Sequence, residues 1–107
     1  MEIKKHKNIK IAIEDTIKEL THYVFIRHIL NPKDKIRLHY HEKANEFIIV
    51  DEGKFKIRLG DEEKTFDLKD QAIVIYLPHR QKHKLLALSR ISYFVFRDIE
   101  DTTIYCE

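Results

Sequence analysis

Apolar residues recur along most of this chain with a period of two, the repeat of a strand with one buried face. Phe55, Ile57 and Leu59 alternate with Lys54, Lys56 and Arg58, and Ile9, Ile11 and Ile13 stand at every second position. Tyr23 to Leu30 is rich in β-branched and aromatic residues, and Ala72–Leu77 and Ile91–Phe96 are apolar runs, the second broken only by Ser92. Asn31-Pro32, Asp51-Glu52-Gly53, Leu59-Gly60-Asp61 and Pro78 punctuate these runs. Turn residues at such intervals predict about eight to ten short strands. The strands expected include one at Ile9–Ile13, and only Thr16 to Leu20 has the character of a helical turn. Many short strands in one small unit predict an all-β sandwich or barrel.

Composition narrows the classes. A chain of 107 residues has room for one core, so residues 1–107 are expected to form a single domain. Twenty basic and eighteen acidic residues leave a formal net charge of +2, without the basic stripe that nucleic acid requires. No apolar stretch approaches the ~18 residues of a membrane span, and the N-terminal Met-Glu-Ile-Lys-Lys-His-Lys is not followed by a signal-peptide core. The expected partners therefore include neither nucleic acid nor membrane. Cys106 is the single cysteine, so no intrachain disulfide is possible and a reducing, cytoplasmic location is expected.

The chemistry concentrates in Lys35-Ile-Arg-Leu-His39-Tyr-His41 and in the residues from Glu42 to Val50. Two histidines two residues apart on a strand share a face, about 6.6–6.8 Å apart along it, so both imidazoles can lean toward one ion. By the same alternation Arg37 is expected on the histidine face. The polar segment Glu42-Lys-Ala-Asn45 reads as a loop, and Glu46 opens the apolar strand Glu46–Val50. A carboxylate at the head of a buried strand needs a partner, and an ion held by the histidines supplies one. Farther on, Pro78 is followed by His83, which heads another strand.

The string His39-x-His41-x4-Glu46-x6-Gly53 resembles the first cupin motif, and Pro78-x4-His83 resembles the centre of the second. The resemblance implies a double-stranded β-helix, or jelly-roll barrel, with His39, His41, Glu46 and His83 as the ligands of one divalent metal ion. The sequence departs from the cupin pattern where glycine is usual, at Lys33, Ala72 and Arg80, and at Ala87, where asparagine is usual.

Three imidazoles and a carboxylate suit Mn, Fe, Co, Ni, Cu or Zn, among which geometry selects. Arg37 is expected to bind a substrate carboxylate or phosphate. His6, His22, His28 and His79 are read as solvated or core residues. A metal-dependent oxygenase, isomerase or lyase acting on a small organic molecule is the leading functional expectation. A metal-free sugar-nucleotide ketoisomerase or epimerase, and a non-catalytic small-ligand sensor, are the alternatives; in the ketoisomerases glutamine commonly stands at the position of Glu46. A homodimer is expected as well, from the small core and the edge strands of an open jelly roll, with the segment Ile9–Ile13 as candidate donor strand.

Overall fold

The computed structural model describes residues 1–106, which form two facing antiparallel sheets and one helix. In chain order the elements are β1 (Glu2–His6), α1 (Ile9–Ile17), β2 (Val24–Leu30), β3 (Lys35–Tyr40), β4 (Glu46–Val50) and β5 (Gly53–Leu59). They continue with β6 (Glu62–Leu68), β7 (Ala72–Leu77), β8 (His83–Ala87), β9 (Ile91–Arg97) and β10 (Ile104–Tyr105). One sheet has the order β1-β7-β4-β9-β2 and the other β10-β3-β8-β5-β6. Apart from the β5–β6 hairpin, each strand from β2 onward is followed by one in the opposite sheet, the winding of a jelly roll.

The period-two pattern explains the core. Ile48 and Val50 of β4, Phe55, Ile57 and Leu59 of β5, Ile73, Ile75 and Leu77 of β7, and Ile91, Tyr93 and Val95 of β9 all face between the sheets. The runs in β7 and β9 lack alternation because the first sheet is covered on both faces. Its outer residues Ile49, Val74 and Phe96 pack with Ala72 and Ala12 against Ile9, Ile13, Ile17 and Leu20.

That covering layer corrects one expectation. Ile9–Ile13 is not a strand but the start of α1. Asn8 caps the helix, its Oδ1 accepting from the Ile11 N–H at 2.9 Å, and the Thr16 hydroxyl donates to the Ala12 carbonyl at 2.8 Å. Isoleucines at 9, 13 and 17 are four apart and form one helical stripe, while Ile11 turns outward and is exposed. The same spacing satisfies both periods, and burial against the first sheet decides between them. The first strand is instead β1, which pairs with β7 of its own chain. Ile9–Ile13 is thus unavailable as an exchanged strand.

Two positions where the cupin pattern expects glycine keep glycine's backbone conformation. Lys33 has φ +76° and Arg80 φ +66°, both in the left-handed region. Gly53, at φ +105°, lies so close to its neighbours that a Cβ would collide with the Ile91 side chain and crowd the Arg90 carbonyl. We therefore expect Lys33→Gly to stabilise the protein, since relief of about 1–2 kcal/mol of left-handed strain exceeds glycine's entropic cost of roughly 0.5–1 kcal/mol. Gly53→Ala should destabilise it by about 1–3 kcal/mol or more, through overpacking and backbone strain together. Urea midpoints of both variants test this, and a Lys33→Gly protein weaker than the parent would contradict the strain assigned to that turn.

Candidate metal centre

Strand register assembles the site. His39 and His83 are cross-strand partners in β3 and β8, so their side chains emerge side by side from the second sheet, with ring centroids 4.2 Å apart. His41 comes directly after β3. Glu46 opens β4 in the opposite sheet, where it lies across from Leu77 on one side and Arg97 on the other. All four are buried, and one ligating atom from each lies within 4.8 Å of every other.

The histidines are oriented for coordination. Nδ1 of His39 bonds to the Arg37 carbonyl at 2.6 Å, that of His41 to the Thr102 carbonyl at 3.0 Å, and that of His83 to the Gln81 carbonyl at 2.9 Å. A carbonyl only accepts, so each Nδ1 carries the proton and each Nε2 presents a lone pair. This is the outer-shell anchoring that fixes metal-ligating imidazoles. Nε2 of His41 abuts Oε1 of Glu46, yet both atoms are buried without a hydrogen-bond partner. Buried polar atoms in native proteins are nearly always satisfied, and one divalent ion shared by the four residues would satisfy these. The donor set therefore fits a metal, which His39, His41, Glu46 and His83 would hold.

Electrostatics agree. Burial, together with the neighbouring His39, lowers His83 to about 4, and burial lowers His39 as well. Both are neutral near pH 7, the state that ligates. Burial also pulls His41 down, but the adjoining Glu46 carboxylate more than reverses this and leaves it raised. Burial pushes Glu46 up, and His41, Arg97 and His83 together overcome that and hold it low, so the carboxylate is ionised.

Several residues that support the site carry no motif. Asp101 accepts from the Lys43 and Ala44 N–H groups at 2.6 and 3.0 Å, fixing the loop between His41 and Glu46. Asp98 accepts from both the backbone and the side-chain amide of Asn45, whose Oδ1 accepts from the His79 N–H at 2.8 Å. The left-handed Arg80 donates its N–H to the His41 carbonyl at 2.6 Å. The segment after β9 thus positions the ligand loop from another part of the chain.

Arg37 stands elsewhere than alternation places it. The β3–β8 register shifts between Ile36 and His39, so Ile36 packs against the core although it lies three residues before the buried His39. Arg37 is exposed, with its guanidinium 4.0 Å from the centre of the Tyr105 ring. The arginine beside the ligands is Arg97, whose Nε lies 3.4 Å from Glu46 Oε1. A cavity of about 130 Å³ opens next to the ligands, with His28, Tyr93, Arg97 and Tyr105 in its walls. His28, expected to be a solvated or core residue, lines this cavity. It shares the inner face of β2 with Ile26 and Leu30 and stacks on Tyr93 with centroids 5.2 Å apart. Its signal in the sequence is the alternation of Ile26, His28 and Leu30.

Fold and site together define a small double-stranded β-helix barrel of the cupin type. No protein-family model matches the sequence, and no curated protein does. Solved structures do match. The capsular polysaccharide assembling protein CapF from Staphylococcus aureus superposes with a TM-score of 0.70 and 20% identity over 82% of this chain, which spans only 27% of CapF. An uncharacterized conserved protein with a double-stranded beta-helix domain from Klebsiella pneumoniae subsp. pneumoniae gives 0.63 and 12% identity, over 77% of this chain and 74% of that one. An oxalate oxidase gives 0.66 and 13%, over 78% of this chain and 46% of that one. At these identities the likeness is one of fold.

The buried histidines make the metal-free protein acid-sensitive. Between the ordinary histidine value of about 6.5 and their lowered native values, His39 and His83 are protonated in the unfolded chain but not in the fold. Stability therefore falls as pH drops through that window, and His83, lowered to about 4, alone accounts for a loss on the order of 3 kcal/mol. The raised His41 acts oppositely: the stability it contributes is present in acid and lost as pH rises through its native value. Urea melts of chelator-treated protein between pH 7 and 4.5 should show the net decline, flattened in His83→Phe. Midpoints independent of pH would contradict the burial of neutral imidazoles.

Proposed function

We propose that the protein is a metal-dependent enzyme that holds one divalent transition-metal ion through His39, His41, Glu46 and His83 and acts on a small organic molecule in the adjoining cavity. The observation that carries this reading is the set of three Nδ1–H groups tied to backbone carbonyls, which leaves three Nε2 atoms converging on an ionised, buried carboxylate. The ion when bound supplies Lewis-acid or redox chemistry at its open coordination positions. The protein's part is to fix ligand geometry, keep His39 and His83 neutral and present a small cavity with apolar sides. A metal-free acid–base cupin would leave Glu46 charged and buried without a metal ion to share it with the histidines.

Elemental analysis of untagged protein is expected to find about one transition-metal ion per chain. His41→Ala and Glu46→Gln should lower occupancy sharply, whereas His22→Ala and His79→Ala, at exposed positions, should not. An ion that binds only the native state adds ~2.7 kcal/mol at a hundredfold excess over its dissociation constant, so chelator should lower the melting temperature and added Mn, Fe, Co, Ni, Cu or Zn should restore it. Full metal content in a His39→Ala/His41→Ala protein would overturn the assignment.

A cytoplasmic location accords with this reading: the lone Cys106 is exposed and free, as in a reducing compartment. The working unit in this reading is a two-fold homodimer. β2 ends the first sheet and leaves one side of its backbone unpaired, and its outer face carries Phe25 and Ile29, each 49% exposed. Antiparallel pairing of two β2 edges about a two-fold axis would cover them. Light scattering should then give twice the 13.0 kDa chain mass, and Phe25→Glu should shift it to the single-chain value.

A further inference from the structure

We infer that the ligand of this cavity is a small organic acid whose carboxylate is held by Arg97. This rests on the metal reading above and goes past it to the class of substrate.

A divalent ion and Arg97 bring three positive charges into the barrel, and among the described residues Glu46 is the only acidic side chain in the cavity wall. The histidines ligate as neutral imidazoles and add none. Lys84 also touches the cavity, but it lies between the buried His83 and Leu85 on β8 and faces the other side of its strand. The loaded cavity therefore has surplus positive charge in surroundings that screen it poorly, and an anion restores the balance.

Arg97 supplies the recognition. It closes β9 on the same inner face as Tyr93 and Val95, and as cross-strand partner of Glu46 it stands beside the ligands. Its side chain is only 17% exposed, and its buried Nε has no hydrogen-bond partner. Glu46 lies 3.4 Å away and cannot satisfy the whole fork once it serves as a metal ligand. A guanidinium with an unpartnered Nε in a half-closed cavity matches a carboxylate in bidentate fashion.

Size and walls select the rest of the ligand. A cavity of about 130 Å³ equals roughly four water volumes, room for an acid of few atoms. Ile36, Ile48, Ile57 and Val95 give it apolar sides. The fork pairs two oxygens, which is all that a carboxylate has, whereas the further oxygens of a phosphate would face the apolar sides unpaired. An oxygen next to that carboxylate would lie toward the metal ligands, so a 2-oxo, 2-hydroxy or vicinal dicarboxylic acid fits both ends.

Cobalt(II)-loaded protein tests the assignment by titration calorimetry and by its visible spectrum. Oxalate and pyruvate are expected to bind and to perturb the cobalt bands, while oxamide, the neutral isostere of oxalate, and inorganic phosphate bind at least tenfold more weakly. Arg97→Gln should weaken oxalate binding tenfold or more with cobalt still bound one to one, and Arg97→Lys should recover part of the loss. Cobalt stoichiometry and a thermal melt confirm that each variant folds. Oxamide binding as well as oxalate, phosphate binding better, or Arg97→Gln and Arg97→Lys both retaining full oxalate affinity on a cobalt-loaded site would overturn the carboxylate assignment alone. Parent protein that takes up no cobalt would instead remove the metal reading, and with it the surplus charge.

Discussion

The structure turns on the burial of one carboxylate. Glu46 is 4% exposed at the head of an apolar strand, and an isolated charge there would be too costly to keep. Against that burial, His41 on one side and Arg97 on the other, with His83 across the barrel, keep it ionised. A carboxylate stabilised this way favours a cation, and neutral imidazoles with outward-facing lone pairs favour the same one. The acidic and basic ligands therefore support a single chemistry from opposite sheets.

Convergence at that point depends on register rather than on local sequence. A one-residue slip in any of β3, β4 or β8 would turn a ligand out of the barrel, since side chains alternate between faces. The core pins the register: Ile48 and Val50 hold β4, Leu85 and Ala87 hold β8, and both sets are buried in the same cluster. Packing energy is thus what sets ligand geometry. The outer layer contributes as well, because α1 covers Ile49, Val74 and Phe96 and lets β4, β7 and β9 be apolar on both faces.

Much of this is legible in the chain. The spacing of His39, His41, Glu46 and His83 names the cluster, and period-two alternation names most of the inner face. Arg97 is equally readable, since Ile91, Tyr93, Val95 and Arg97 alternate inward, but it sits in a dense apolar run with no motif to mark it. The helix escapes a strand-based reading because Ile9 and Ile13 satisfy strand and helix periods at once, and Ile11 between them completes the strand pattern. The deciding signals are Asn8 before them, Ile17 after them, and the unalternating runs in β7 and β9, which require a cover on the outer face. Arg37 departs from its expected face for a different reason: a register shift inside β3 breaks the alternation on which that position depends. Such a shift reflects how β8 pairs with β3, a contact between distant segments that local pattern does not carry.

The substituted glycines bear on the same site. Lys33 and Arg80 keep left-handed backbones that a side chain makes costly, and each holds a bond that needs that conformation. Lys33 donates its N–H to the Ala87 carbonyl at 2.8 Å, and Arg80 donates to the His41 carbonyl at 2.6 Å. The first ties the turn before β3 to the end of β8; the second ties the turn before β8 to the end of β3. These are the two strands that present His39 and His83 as cross-strand partners. The turns therefore clamp the strand pair at both ends, and strain of about 1–2 kcal/mol at each is tolerated because the clamped register is what brings the histidines together. Glycine is the usual residue at such positions because it adopts the conformation without cost, but the hydrogen bond rather than the side chain is what the site requires.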